Sequence, residues 1–169
     1  MNQRKIIVFL SRLMLLSLPL YFILWSGVSL SPLQEAVSFQ TEHVLSFAGL
    51  NVSRTNTRIE IRGEKPFAFF IDEDCTGWKS MLFLFALVFA VPGVKLKKRL
   101  FGLVLGLPLV WIVNLSRIIT IVFIEQAHGA QLALFFHAYV WKAVLISAVL
   151  LIWFLWMKQK TIFRFLTKY

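Results

Sequence analysis

Three side chains of types used in acyl transfer stand far apart in the sequence: Cys75, Arg117 and His137. Cys75 is the single cysteine, and a lone cysteine in an apolar chain is usually a small core filler. The surroundings of Cys75 are not those of a core filler, because this residue follows Asp72-Glu73-Asp74, precedes Gly77 and begins a predicted helix. The positive end of a helix and a nearby Arg would stabilise a thiolate, whereas the three acids would oppose it.

Arg117 and His137 each have a structural interpretation beside the functional one. A cation complements the C-terminal end of a helix and can extend to the membrane interface. Arg117, however, lies in the otherwise apolar stretch Trp111–Ile124, and an ionisable residue within a membrane is by default a functional hypothesis. His137 lies among aromatic residues that would suit an interfacial belt. His128, in the turn Gln126–Gly129, is the rival candidate for a base.

These three residue types together indicate covalent chemistry on a carbonyl group. A Cys–His pair supplies a nucleophile and its base, and an Arg stabilises an oxyanion or orients a substrate carbonyl. This combination favours acyl transfer or peptide cleavage at a membrane surface. A thiol oxidoreductase usually needs a cysteine pair, and this chain has one cysteine. Three scattered His and one Cys show no ligand spacing, so we predict neither a metal site nor a cofactor.

The elements that must position these residues are membrane-spanning helices. Of the 169 residues, 59% are hydrophobic, and they come in long runs. A helix needs about 20 apolar residues to cross the hydrocarbon core. We therefore predict an all-α polytopic membrane protein, a single membrane domain over residues 1–169 with about four transmembrane helices. The predicted spans are Ile6–Leu30, Thr76–Val94, Leu100–Ile124 and Leu132–Met157, the second being the weakest.

The basic residues predict the orientation of these spans. They cluster before the first span, in Lys95–Arg99 between the second and third, and in the tail after Met157. With four spans these regions share one side, which the positive-inside rule makes the cytoplasm. We predict a multi-pass protein of the plasma or inner membrane with both termini cytoplasmic and the loop 31–74 extracytoplasmic. Because the bases form no single face, the net charge of +10 does not indicate nucleic-acid binding.

Counting residues along the predicted spans places Cys75, Arg117 and His137 at a similar depth in the membrane. Arg117 lies 17 residues after Leu100, about 25 Å along a helix from the cytoplasmic side. His137 lies 20 residues before Met157, about 30 Å from the same side. Cys75 stands at the outer end of the second span. The active site is therefore predicted at the extracytoplasmic face.

The extracytoplasmic loop is predicted to carry a small helix and a β-hairpin. Ser31-Pro32-Leu33-Gln34 is typical of a capping box with Pro at the first helical position. Further on, Thr57–Arg62 and Phe67–Ile71 flank a turn rich in Gly and Pro, which predicts a hairpin.

Two short motifs and one histidine resemble a known family. The segment Asp74-Cys75-Thr76-Gly77-Trp78-Lys79-Ser80-Met81 resembles the cysteine motif of the exosortase/archaeosortase family. Asn114-Leu115-Ser116-Arg117 resembles its Asn-x-x-Arg motif, and His137 matches its third catalytic position. The order of the motifs also fits, and the resemblance covers roughly Phe67 to Met157.

The resemblance implies a membrane-embedded cysteine protease or transpeptidase that cleaves C-terminal sorting signals of surface proteins and transfers them to an acceptor. Cys75 would form a thioester, His137 would handle the proton and Arg117 would steady the developing charge, with Gly77 and Asn114 in support. The implied partner is a membrane-tethered protein carrying a short C-terminal motif, a spanning helix and a basic cluster.

This chain departs from the family in its length. Many members have more spans before the cysteine, whereas one precedes it here, so that a partner subunit or a homo-oligomer in the lipid bilayer would complete the substrate groove. Some members carry a second Arg in place of the His, so the resemblance does not fix the role of His137, and His128 stays the rival candidate for the base. The alternative function is a non-catalytic membrane subunit or assembly factor, with Arg117 packing helices or binding lipid headgroups.

Overall fold

The computed structural model describes residues 3–63 and 65–166, the side chains only as far as residue 158. The predicted basic tail therefore lies largely outside the described side chains. The protein is mostly helical with a small antiparallel sheet. The elements are α1 (Gln3–Ser26), α2 (Ser31–Phe47), β1 (Asn51–Thr55), β2 (Arg58–Arg62), β3 (Phe67–Phe70), α3 (Trp78–Ala90), α4 (Leu96–His128), α5 (Ala130–Phe135) and α6 (Trp141–Leu166). A 3₁₀ turn (Glu73–Thr76) precedes α3, and a π-helical turn (Phe136–Val140) joins α5 to α6.

Three helical stretches in the described part of the chain are long and apolar enough to cross a bilayer. They coincide with the first, third and fourth predicted spans. The second predicted span contains α3, which has 13 residues, about 20 Å against a hydrocarbon core of about 30 Å. The predicted count of four is therefore not confirmed, because α3 falls short of a full span. The three stretches are Gln3–Ser26, Leu96–His128 and Ala130–Lys158.

One compact unit lies within Met1–Gly27, Lys79–Val110 and Ile146–Tyr169. Its core joins buried residues of α3, α4 and α6. Gly102 and Gly106 let side chains of other helices reach the backbone of α4, because a Cβ at either position would overlap Trp156 or Leu84. Small residues thus set the close packing of this unit.

Arg99 of α4 caps the end of α3 in the same unit. Its Nη1 donates to the carbonyl of Phe89 at 2.7 Å, its Nη2 to Val91 at 2.8 Å and its Nε to Val94 at 3.1 Å. The last carbonyls of a helix have no partner within the helix, and a cation there also complements the helix dipole. The planar guanidinium therefore satisfies three carbonyls where α3 stops.

The other compact unit consists of Val28–Trp78 and Trp111–Leu145. Its sheet has the order β1-β2-β3, with Ile61 opposite Phe67 and Arg58 opposite Phe70 in the second hairpin. The inward-facing side chains of β2 alternate along the strand, as a sheet buried on one face requires. Two buried clusters join α2, β2 and α4: Val37, Ile59 and Ile118 in one, Leu45, Ile61 and Val122 in the other.

The predicted loop helix and hairpin are present as α2 and β2–β3, but the sheet has a third strand, so the all-α description is incomplete. The sequence Asn51–Thr55 has one apolar residue, Val52, and therefore shows no strand alternation. The predicted capping box is wrong. Leu30 occupies the N-cap without a side-chain bond, and Gln34 instead donates to the carbonyl of Ile71 at 3.3 Å.

Candidate active site

Cys75 lies in the 3₁₀ turn that links β3 to α3. The carboxylate of Asp72 caps this turn, with Oδ1 accepting the Cys75 N–H at 2.8 Å. Thr76 is fully buried, and its hydroxyl donates to the carbonyl of Glu73 at 2.8 Å. Short polar side chains that bond to nearby backbone favour turns over regular helix. The local sequence therefore fixes Cys75 in a tight turn, where the cysteine is partly exposed.

Gly77 ends the turn in a conformation that few other residues adopt. Its φ is +75°, in the left-handed region. A Cβ at this position would lie 2.9 Å from Cγ of Asn114. Asn114 is itself buried, and its Nδ2 donates to the carbonyl of Cys75 at 2.7 Å. The absence of a side chain at Gly77 thus lets Asn114 of α4 hold the backbone of the cysteine turn.

Arg117 follows Asn114 by one helical turn and faces the same way. It is 5% exposed. Its Nη1 donates to the carbonyl of Asp74 at 3.3 Å, and its Nη2 donates to Nε2 of His137 at 2.7 Å. Its Nε is buried with no hydrogen-bond partner among the described residues. An unpartnered buried N–H is costly, which makes it a ready donor for an incoming acceptor.

His137 is placed by the π-helical turn between α5 and α6. Such turns insert one extra residue into a helix and frequently occur at functional sites. Nε2 of His137 accepts from Arg117, so in this arrangement the ring is neutral and carries its proton on Nδ1. His128 lies at the exposed end of α4 and does not line the cavity that His137 lines.

Cys75, Arg117 and His137 line one cavity of about 190 Å³. Asp72 also lines it beside the cysteine, and Glu125 lines it two helical turns beyond Arg117. The remaining wall is apolar and comes from β3, the residue that follows it, α4 and α5. This wall is made by Phe67, Phe69, Phe70, Ile71, Ile118, Ile121, Val122, Ala133 and Leu134.

Burial and Asp72 together decide the ionisation state of the nucleophile candidate. Burial and the hydrogen bond and charge of the Asp72 carboxylate raise the pKa of Cys75 to about 12, and Arg117 opposes this with a smaller lowering effect. The sequence alone does not decide whether the helix end and a nearby Arg, which would lower the pKa of Cys75, outweigh the acids, which would raise it. In the structure the effects of burial and of the Asp72 carboxylate outweigh that of Arg117, so Cys75 is a neutral thiol at rest.

The structure brings the predicted catalytic and supporting residues together, whereas His128, the rival base, lies outside the cavity. Two features of the site correspond to no recognisable pattern in the sequence. The π-helical turn gives no recognisable pattern, and neither does the hydrogen bond that Nη1 of Arg117 donates to the backbone carbonyl of Asp74. Asp72 could have been recognised as a cap, because it stands three residues before Cys75, where an Asp side chain typically accepts a backbone N–H.

The fold and the cavity define a polytopic membrane protein with a site built around a single cysteine. A family model described as transmembrane exosortase matches residues 3–155. The chain therefore belongs to the transmembrane exosortase family, as its motifs predicted, and this family is generally one of cysteine transpeptidases. No curated protein and no solved structure matches the chain.

Proposed function

We propose that this protein is a membrane cysteine transpeptidase that cleaves the C-terminal sorting signal of a membrane-tethered protein and passes the new C-terminus to an acceptor. The observation that carries the proposal is the shared cavity of Cys75, Arg117 and His137. Family membership supports the reaction class. The substrate would carry a short motif, a spanning helix and a basic cluster.

The reaction divides into two acyl transfers. Sγ of Cys75 adds to the peptide carbonyl carbon, the C–N bond breaks, and the leaving amine takes the proton that the thiol gave up. The acceptor nucleophile then attacks the thioester, and its proton returns to the thiolate. A thioester intermediate splits one difficult displacement into two easier ones.

Arg117 and His137 would cooperate in the first transfer. The carbonyl oxygen of the bound substrate, which becomes the oxyanion during attack, would accept a hydrogen bond from Arg117 in place of the neutral imidazole. That exchange frees Nε2 of His137 for the thiol proton. The raised pKa of Cys75 fits this order of events, because the thiol would ionise only when the substrate and the base are both in place.

The site would face the extracytoplasmic side, with both termini in the cytoplasm. Arg117 lies 20 residues after Lys97, about 30 Å along α4, which matches the hydrocarbon thickness. Lys97 belongs to the basic segment that favours the cytoplasm. This orientation requires the polypeptide to cross at α3 and the residues flanking it.

The test compares processing of a candidate substrate by matched variants in cells. Candidate substrates are encoded by neighbouring reading frames that end in a motif, an apolar helix and a basic cluster. We expect Cys75→Ala and His137→Ala to abolish processing while the protein still inserts, and His128→Ala, an exposed histidine outside the cavity, to keep it.

Processing that survives Cys75→Ala would overturn the proposal. If Arg117→Ala then prevented insertion or assembly, the alternative of a non-catalytic membrane subunit would be favoured, with Arg117 as a packing residue. Its burial and its bonds to two other elements are the observations behind that alternative.

A further inference from the structure

The cavity beside Cys75 is larger than attack on a carbonyl group requires. Its volume is about 190 Å³. Cavities of about 150 Å³ lined by Leu, Ile and Phe stay dry and hold a benzene molecule. Nine of its fourteen lining residues are apolar, so that it favours an apolar occupant over a column of ordered water.

The wall of this cavity is held in place by packing behind it. Ile71 and Ile118 belong to the buried cluster that includes Val37 of α2, and Val122 belongs to the cluster around Leu45. Ala133 is 2% exposed and is the smallest side chain of the apolar wall. Since packed walls resist collapse, the cavity has a defined shape that can select among side chains.

The lining of the cavity also includes three charged residues. Asp72 and Arg117 lie beside Cys75, and Glu125 lies eight residues beyond Arg117, about 12 Å along α4. A charged substrate side chain placed against the aromatic and aliphatic wall would lose its hydration, and it would find a partner only beside the few charged groups of the lining. An apolar side chain would gain contact with β3, α4 and α5 at once.

The side chain closest to a scissile carbonyl is that of the residue which owns the carbonyl, because its Cα is bonded to the carbonyl carbon. We propose that the cavity receives one large apolar side chain of the substrate, and that this side chain belongs to the residue whose carbonyl Cys75 attacks. This inference rests on the proposed function and adds to it a preference for Leu- or Phe-sized residues.

The test uses single-residue thiol reagents, since it needs no knowledge of the natural substrate. N-acetyl chloromethyl ketones of Leu, Phe, Ala, Asp and Lys are reacted with the purified full-length protein in detergent, and the rate of Cys75 modification is divided by the rate with chloroacetamide. We expect the Leu and Phe reagents to exceed the Ala reagent by about tenfold, a typical discrimination for an apolar pocket. Equal ratios across the series, or faster reaction of the Asp or Lys reagent, would overturn the inference.

Matched variants tie the preference to the cavity. Ala133→Leu fills it and should bring the Leu-to-Ala ratio close to one, whereas Ala130→Leu, the same substitution at an exposed position of α5, should leave the ratio as in the wild type. Ile121→Ala enlarges the cavity and should shift the preference toward Phe, with Ile112→Ala at an exposed position of α4 as its control. A preference that both cavity variants leave unchanged would place the selection elsewhere.

Failure of this inference differs from failure of the proposed function. A flat reagent profile together with Cys75-dependent processing of a sorting substrate would overturn the cavity assignment alone. Processing that continues in the Cys75→Ala variant would overturn the transpeptidase proposal, whatever the reagent profile.

Discussion

Asp72 acts on Cys75 through both its geometry and its charge. Its Oδ1 accepts the backbone N–H of Cys75, and its carboxylate also raises the pKa of the thiol. The two effects can be separated, because Asn caps a turn about as well as Asp but carries no charge. Asp72→Asn therefore changes the electrostatics of the cysteine while keeping the acceptor.

We expect Asp72→Asn to lower the pKa of Cys75 and to speed its alkylation. Only the thiolate reacts, so removal of the negative charge raises the reactive fraction at any pH below the pKa. In the wild type the rate should still be rising at about pH 10, because the pKa is about 12. Iodoacetamide rates measured against pH in the purified protein provide the check, and the curve of Asp72→Asn should lie at lower pH.

The control for this experiment is Glu60→Gln, which removes an acid from a solvent-exposed ion pair on the sheet. Its alkylation curve should match that of the wild type. Coincident curves for wild type and Asp72→Asn would mean that burial alone holds the thiol proton.

At the scale of elements, the cysteine turn is attached to α4 by the close approach of Gly77 and Asn114. Gly77→Ala should destabilise the protein by more than the ~1 kcal/mol expected of a residue forced into the left-handed region, because the added Cβ also meets Asn114 at 2.9 Å. Gly93 has the same φ of +75°, and a Cβ added there would meet nothing within 4 Å, so Gly93→Ala reports the backbone strain alone.

Thermal unfolding in detergent measures the difference between these two variants. The larger loss of thermal stability should belong to Gly77→Ala. Equal losses of thermal stability in Gly77→Ala and Gly93→Ala would show that Asn114 moves aside without measurable destabilisation.

The sequence predicted those elements whose pattern is long and local. Apolar runs of 20 or more residues reveal the three long helices, and the alternation of β2 with the Gly- and Pro-containing turn after it reveals the β2–β3 hairpin. β1 and the π-helical turn escape prediction, because each depends on the partner that it packs against rather than on its own residues. The capping of the α3 end by Arg99, a residue of the next helix, is likewise a contact that no local pattern predicts.

The positions of the candidate site residues along their helices could be predicted from the sequence, whereas the directions of their side chains could not. The rise of about 1.5 Å per residue places Cys75, Arg117 and His137 at one level along their helices. Which way each side chain points depends on packing, so the contact of Arg117 with His137 and the apolar wall of the cavity could be found only in the folded structure. The role of Asp72 could be predicted only in part. Its position as a cap follows from the sequence, but its effect on the pKa of the Cys75 thiol depends on burial.

At the scale of the whole molecule, the open prediction is the number of membrane crossings. Because Cys75 is the single cysteine, Cys75→Ser provides a cysteine-free background. In that background we expect Thr55→Cys to react with a membrane-impermeant maleimide added outside intact cells, and Lys97→Cys to react only after permeabilisation. Labelling of Lys97→Cys from outside would mean that the chain does not cross at α3.

The negative charge of Asp72 has a consequence for the survival of the Cys75 thiol in an oxidising environment. Peroxides and disulfides attack thiolates far faster than thiols. A cysteine kept protonated at rest is therefore shielded from sulfenic acid formation and from mixed disulfides during the intervals between substrates. Burial and the Asp72 carboxylate, which together keep Cys75 protonated, would thus also preserve it, and peroxide should inactivate Asp72→Asn sooner than the wild type.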